Sequence, residues 1–213
     1  MPRESSRNKH LVPDLLAPGL DLVFCGTAPS PASFKARAYY ANPGNAFWST
    51  LHAVGLTPER FTPQRYPELL AWRIGLTDLN KTEYGSDHEL SAGAMDAGSL
   101  HGKLRKYRPA AIAFTSKNAA SLGLGVKAPA YGRQAELLEG AVVFVLASPS
   151  GRARSFWTIA PWRKFERRLK TARAECRHTR GSTRTRSAPS FVTSPQGKTS
   201  KLQQRSPGFL PST

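Results

Sequence analysis

Four short apolar runs divide this chain, at 21–25, 74–79, 109–114 and 142–146, each bounded by small or turn-forming residues. Runs of that length without polar alternation are the pattern of strands buried on both faces. The stretches between them carry helical signals. Phe47, Trp48, Leu51 and Val54 recur at helical spacing, predicting a helix over 45–54 with Gly44 or Asn45 at its start. Pro67–Trp72 is a short helix with proline in its first turn. Ser86 and Glu89 have the spacing of a capping box and open a helix toward Tyr107, weakened by Gly93, Gly98 and Gly102; Asp87 and His88 belong to that start. A further helix begins around 115–118 and fades into the glycines of 122–125, and a strongly basic one runs from Phe156 to about Ala174. The segment 27–44, rich in Pro, Ala and Tyr, is a loop. Strands alternating with helices predict a single α/β domain with a mainly parallel central sheet flanked by helices.

Two of the predicted strands empty into loops of small residues: Gly26-Thr27-Ala28-Pro29-Ser30 and Ser148-Pro149-Ser150-Gly151-Arg152-Ala153-Arg154. In open α/β sheets, ligands bind at the carboxyl ends of strands, so two such loops face one another across a cleft. Small residues let backbone N–H groups approach a phosphate or a base, and the arginines add a positive tip.

Charge sharpens that picture. Lys and Arg outnumber Asp and Glu by 31 to 14 in 213 residues, a formal net charge of +17. Such an excess points to a polyanionic partner, most simply nucleic acid. Part of it sits in the C-terminal region, where almost no apolar residues follow Arg177. That composition cannot bury enough surface to offset its ordering entropy, so a disordered basic tail is expected over 176–213, a flexible basic arm over 1–10, and the folded domain over 11–175. Cys25 and Cys176 are too few for a metal site or a disulfide framework, and Cys25 ends an apolar strand as a small buried hydrophobe. No apolar stretch is long enough to cross a bilayer, which leaves a cytoplasmic protein as the expectation.

With these residues in view, the chain from Leu11 to about Leu169 resembles the mismatch-specific G·U/G·T uracil (thymine) DNA glycosylases, a branch of the uracil-DNA glycosylase superfamily. The likeness runs in order through Asp14–Leu20, Val23–Gly26, Asn42–Trp48, Gly75–Thr77, Ser116-Lys117 and Pro149–Gly151. It implies a monomeric, monofunctional glycosylase that flips a damaged pyrimidine out of DNA and hydrolyses its N-glycosidic bond with water, without metal or cofactor. It further implies that Gly26, Thr27 and Ala28 wall the base pocket and that Tyr40 stacks on the flipped base. Ser116 and Lys117 would meet phosphate at a helix start. Ser148, Ser150, Gly151 and Arg152 would form the loop that fills the gap in the duplex, with Arg154 on phosphate. Arg152 stands where relatives carry an apolar wedge, and its fork suits a guanine edge.

One departure bears on the chemistry. The first loop of the family reads Gly-x-Asn-Pro-Gly, its Asn holding the attacking water, and here that position is Ala28. A methyl group cannot orient water. Either the task has moved to Asn45, Asp78 or Asn42, or the protein is a silent binder of damaged or abasic DNA. Asn45 is otherwise a helix cap. Asp78 lies where relatives read the base edge, and its carboxylate would activate water, stabilise an oxocarbenium ion or accept the N3–H of uracil. A shifted substrate such as hypoxanthine is the remaining alternative.

Overall fold

The computed structural model describes residues 10–167 and 169. The arm, except His10, and the tail expected from composition lie outside the described residues.

The four apolar runs form β1 (Leu22–Gly26), β2 (Ile74–Asp78), β3 (Ala111–Phe114) and, after one further strand, β4 (Gly132–Leu138), β5 (Ala141–Val145). Their order in the sheet is β2-β1-β3-β5-β4. All pairs are parallel except β4 on β5. The chain moves from β1 to β2 on one side and then crosses to β3 on the other. At such a reversal the connecting loops diverge and leave a crevice at the carboxyl edge of the sheet.

Alternation along each strand sorts the core into two layers. Leu22, Phe24, Ala111, Ala113 and Phe144 face one layer, with Phe47, Trp48 and Leu51 of α2 (Phe47–Ala53; α1 is Pro31–Ala36) and with Trp162 and Phe165 of a last helix over 160–167. Phe24 is the hub: it meets Phe47 edge-on at 5.2 Å, stacks on Trp162 at 5.6 Å and touches Phe165 at 6.0 Å between centroids. Cys25, Ile112, Phe114, Val143 and Val145 face the second layer, against Leu100 and Leu104 of α3 (Ala97–Tyr107) and Ala119 and Ala120 of α4 (Lys117–Leu124). Burial pushes the Cys25 thiol well above its usual range, as expected for a small hydrophobe in the core.

Several elements differ from the sequence expectation, each for a local reason. The segment 27–44 contains α1, which Ser30 caps by accepting from the Ser33 N–H at 3.2 Å. The capping box of Ser86 and Glu89 is present but closes only a 3₁₀ turn, Asp87–Glu89. After a second turn, Ala92–Ala94, α3 begins afresh because Asp96 accepts from Ser99 N–H. Pro63–Trp72 is 3₁₀ throughout. β4 is absent from the sequence expectation because it is an edge strand with much of its surface in solvent, so no apolar run marks it. The last helix starts at 160 rather than 156, since Gly151–Phe156 forms its own 3₁₀ turn. Among the described residues no helix is long and apolar enough to cross a membrane.

Candidate functional site

The loops after β1, β3 and β5 enclose a cleft of about 980 Å³ at the carboxyl edge of the sheet. At its base, Gly26 and Asp78 end adjacent strands and lie opposite one another in register. A Cβ added to Gly26 would collide with Asp78 Oδ1 and sit 3.5 Å from Tyr40 Oη. A side chain at 26 would therefore force the Asp78 carboxylate to move, so it is the carboxylate and not a turn that favours glycine there.

Asp78 is only 4% exposed. Burial raises its proton affinity, Lys81 and Lys103 oppose the rise, Asp14 adds to it, and the result is a carboxyl titrating at about 6. At neutral pH the group is an anion held in a site that disfavours anions. That is the condition of a group poised to accept a proton or to face a developing positive charge.

Tyr40 stands over this floor. Its ring stacks on Phe47 with centroids 3.8 Å apart and planes 17° from parallel, and its hydroxyl meets Thr115 Oγ1 at 3.3 Å. Burial and the Asp78 charge push the phenol well up, so it stays neutral. The residue adopts φ 53°, a left-handed conformation uncommon outside glycine, which tertiary packing must sustain. Phe47 thus backs the very ring that the sequence assigned to stacking.

Asn42 and Asn45 both line the cleft, and both also serve the backbone. Asn42 Oδ1 accepts from Gly44 N–H and Asn45 Oδ1 from Phe47 N–H, each at 2.9 Å. Asn45 therefore works as a cap one residue ahead of the helical N-cap, Ala46. Its Nδ2 and that of Asn42 have no hydrogen-bond partner among the described residues, which leaves two donors each for a ligand.

The loop after β5 is fastened to this segment. Ala46 N–H donates to Pro149 O at 2.8 Å, and a Cβ on Gly151 would fall 3.0 Å from Gly44 O. Ser148 Oγ accepts from Ser150 N–H, and Ser150 Oγ from Arg152 N–H, so the serines shape the turn. Arg152 reaches over the cleft and hydrogen-bonds Ser86 on the opposite lip.

Most of the sequence-selected residues thus converge: Gly26, Thr27, Ala28, Tyr40, Asn42, Asn45, Asp78, Ser116, Ser148, Ser150, Gly151 and Arg152 all line the cleft. Lys117 and Arg154 do not. Lys117 Nζ lies 4.6 Å over the ring of Tyr131, and Arg154 is exposed beside Gly44. Ser116 N-caps α4 by accepting from Ala119 N–H at 2.9 Å. Tyr39, Thr115 and Ser86 also line the cleft and are not among the site residues expected from sequence. Thr115 directly follows β3, a positional signal available in the sequence, whereas the capping box alone accounts for Ser86 there. No group of three or more His, Cys, Asp or Glu that would hold a metal occurs among the described residues.

Comparison with known proteins gives two findings. The family model for the Uracil DNA glycosylase superfamily matches residues 13–170. The solution NMR structure of a candidate uracil DNA glycosylase from Methanosarcina acetivorans is similar in fold, with a TM-score of 0.53 and 23% identity over 75% of this chain and 96% of that one.

Proposed function

The chain belongs to the uracil DNA glycosylase superfamily, and from that premise we propose that it is a monofunctional glycosylase of the mismatch-directed kind, acting as a monomer on uracil in DNA. The observation that carries this reading is the floor of the cleft, where a buried carboxylate that is anionic at neutral pH lies against Gly26 and beneath Tyr40. A flipped uracil stacked on Tyr40 would present its edge and its glycosidic bond to Asp78. There the carboxylate would activate water or stabilise the oxocarbenium ion as the base departs, taking over from the Asn that Ala28 replaces. Asn45 and Asn42 would offer their free amide hydrogens to the base or the water. Gly151 and Arg152, on a loop pinned to Gly44 and Ala46, would enter the gap in the duplex; Ser116 would meet phosphate from the cleft wall, and Lys117 and Arg154 from outside the pocket.

Labelled duplexes with one G·U, A·U or G·hypoxanthine pair, incubated with the full chain and a chelator, test this directly. Alkali-labile breaks at uracil are expected, most from G·U. Breaks only at hypoxanthine would move the substrate. Tight binding without any break would favour the second reading, a silent damage binder, for which Ala28 is the specific motive.

Stacking has its own consequence. Tyr40→Ala is expected to reduce single-turnover excision about 10- to 100-fold, the scale of one base–aromatic contact. Tyr40→Phe, which keeps the ring and loses the Thr115 contact, should stay within a few-fold of wild type. Equal rates for wild type and Tyr40→Ala would remove the stacking role.

A further inference from the structure

Beneath the cleft lies a partly buried ionic cluster built on Asp14. Asp14, from the segment before β1, takes a lysine on each oxygen: Lys81 Nζ at 2.9 Å from Oδ1 and Lys103 Nζ at 2.8 Å from Oδ2. The Thr77 hydroxyl donates to the same Oδ1 at 2.7 Å and accepts from Lys103 at 3.3 Å. Lys81, 6% exposed, also donates to the Tyr39 hydroxyl at 2.9 Å and lies 5.2 Å from the centre of that ring. Tyr39 in turn lines the cleft.

Two features make this more than a stabilising ion pair. Desolvation offsets much of the Coulombic gain of an ion cluster withdrawn from water, so net stability alone is a weak account of it. The cluster is also unbalanced: two ammonium groups share one carboxylate, leaving one net positive charge. Thr77, which ties it together, immediately precedes Asp78 on β2.

We propose that Asp14, Lys81 and Lys103 form a charge-setting support that keeps the Asp78 carboxylate ionised for base excision, with Lys81 as its positioning residue. This rests on the reading of Asp78 as the group that faces the base. The groups acting on Asp78 divide by sign. Its own burial opposes ionisation most, and Asp14 adds to that; Lys81, Lys103 and the Gly26 backbone favour it. Tyr39, Tyr40 and Cys25 face it as neutral groups, each pushed up by burial. Burial lowers His10 beside the cluster, so it adds no charge at neutral pH. Asp14 itself would be raised by burial, but the two lysines and its hydrogen bonds hold it below the usual carboxylate range.

The test is the pH profile of single-turnover excision by the full chain. Lys81→Met removes a cation and should move the midpoint of the acid limb up by about one pH unit. Asp14→Asn removes an anion and should move it down, and Lys81→Arg should keep it near wild type. Damage to packing alone slows the reaction at every pH and cannot shift the midpoint in opposite directions. Lys103→Met, at a more exposed position, supplies the same upward shift should Lys81→Met fold poorly. Midpoints for Lys81→Met, Lys103→Met and Asp14→Asn that coincide with wild type would overturn the support role. Carboxyl ¹³C titration of Asp78 reads the same shift without catalysis. An Asp78 titration that moves in Lys81→Met while Asp78→Asn still excises at the wild-type rate would keep the electrostatic support and reject the catalytic reading.

Discussion

Asp78→Asn is expected to slow base release by ~10²–10⁴, the scale of losing a positioned general base, while binding of lesion-bearing duplex survives. The same change should make the protein more stable at neutral pH. The sign follows from the raised proton affinity: Asp78 titrates at about 6 in the folded chain, against about 3.9 in an unfolded one. Below about pH 4 both states hold the proton and the carboxyl costs nothing. As pH rises through about 6 the unfolded chain gains from releasing its proton first, and that stability is lost. The difference corresponds to about 3 kcal/mol above pH 7. Asn carries no charge, so thermal melts of Asp78→Asn should exceed wild type at pH 7.5 and converge with it near pH 4. Excision by the wild type should fall along an acid limb centred near pH 6. A variant that excises normally would show that Asp78 is not catalytic, and a melting point at pH 7.5 equal to wild type would show that its carboxylate is not strained.

The largest loss of stability is expected at Trp162. Its ring is fully buried, stacks on Phe24, and meets Phe47 and Trp157 with centroids 6.1 and 6.0 Å away. Its indole N–H donates to Ala147 O at 3.0 Å, just before the Ser148–Arg154 loop. Trp162→Ala removes this contact area, leaves a cavity between the last helix and β1, and orphans the Ala147 carbonyl. The cost should be about 3–5 kcal/mol, read as a fall in melting temperature of about 10 °C or a lower urea midpoint. Trp162→Phe should recover most of the packing and isolate the hydrogen bond, about 1–3 kcal/mol. A melting point for Trp162→Ala within 2 °C of wild type, roughly the effect of 1 kcal/mol in a domain of this size, would mean that the last helix does not support the core.

How far the chain could be read depended on how local each signal was. Apolar runs buried on both faces reveal parallel strands without any tertiary knowledge, and the small residues after β1 and β5 mark where a ligand can approach. The family resemblance rests on those same residues, and the match over 13–170 makes the superfamily plain. Edge strand β4 has no such signature, because solvent on an edge leaves little for sequence to encode. The helix read from Ser86 to Tyr107 broke up because capping residues show where a turn begins, while its length depends on what it packs against.

The same division runs through the site. Sequence, through the family resemblance, offers Asp78, Asn42, Asn45 and Tyr40 as groups for the proposed base excision and places at Ala28 a side chain that cannot orient water. Tertiary structure decided what each has at hand. It set Asp78 against Gly26 and brought Asp14 and Lys103, far away in the chain, to act on it together with the neighbouring Lys81. It turned Lys117 toward Tyr131 and out of the cleft, and occupied the side-chain oxygens of Asn42 and Asn45 with backbone N–H groups. A residue type fixes which protons and charges are available. Burial and neighbouring charge, which exist only once the strands lie side by side, fix whether they are used.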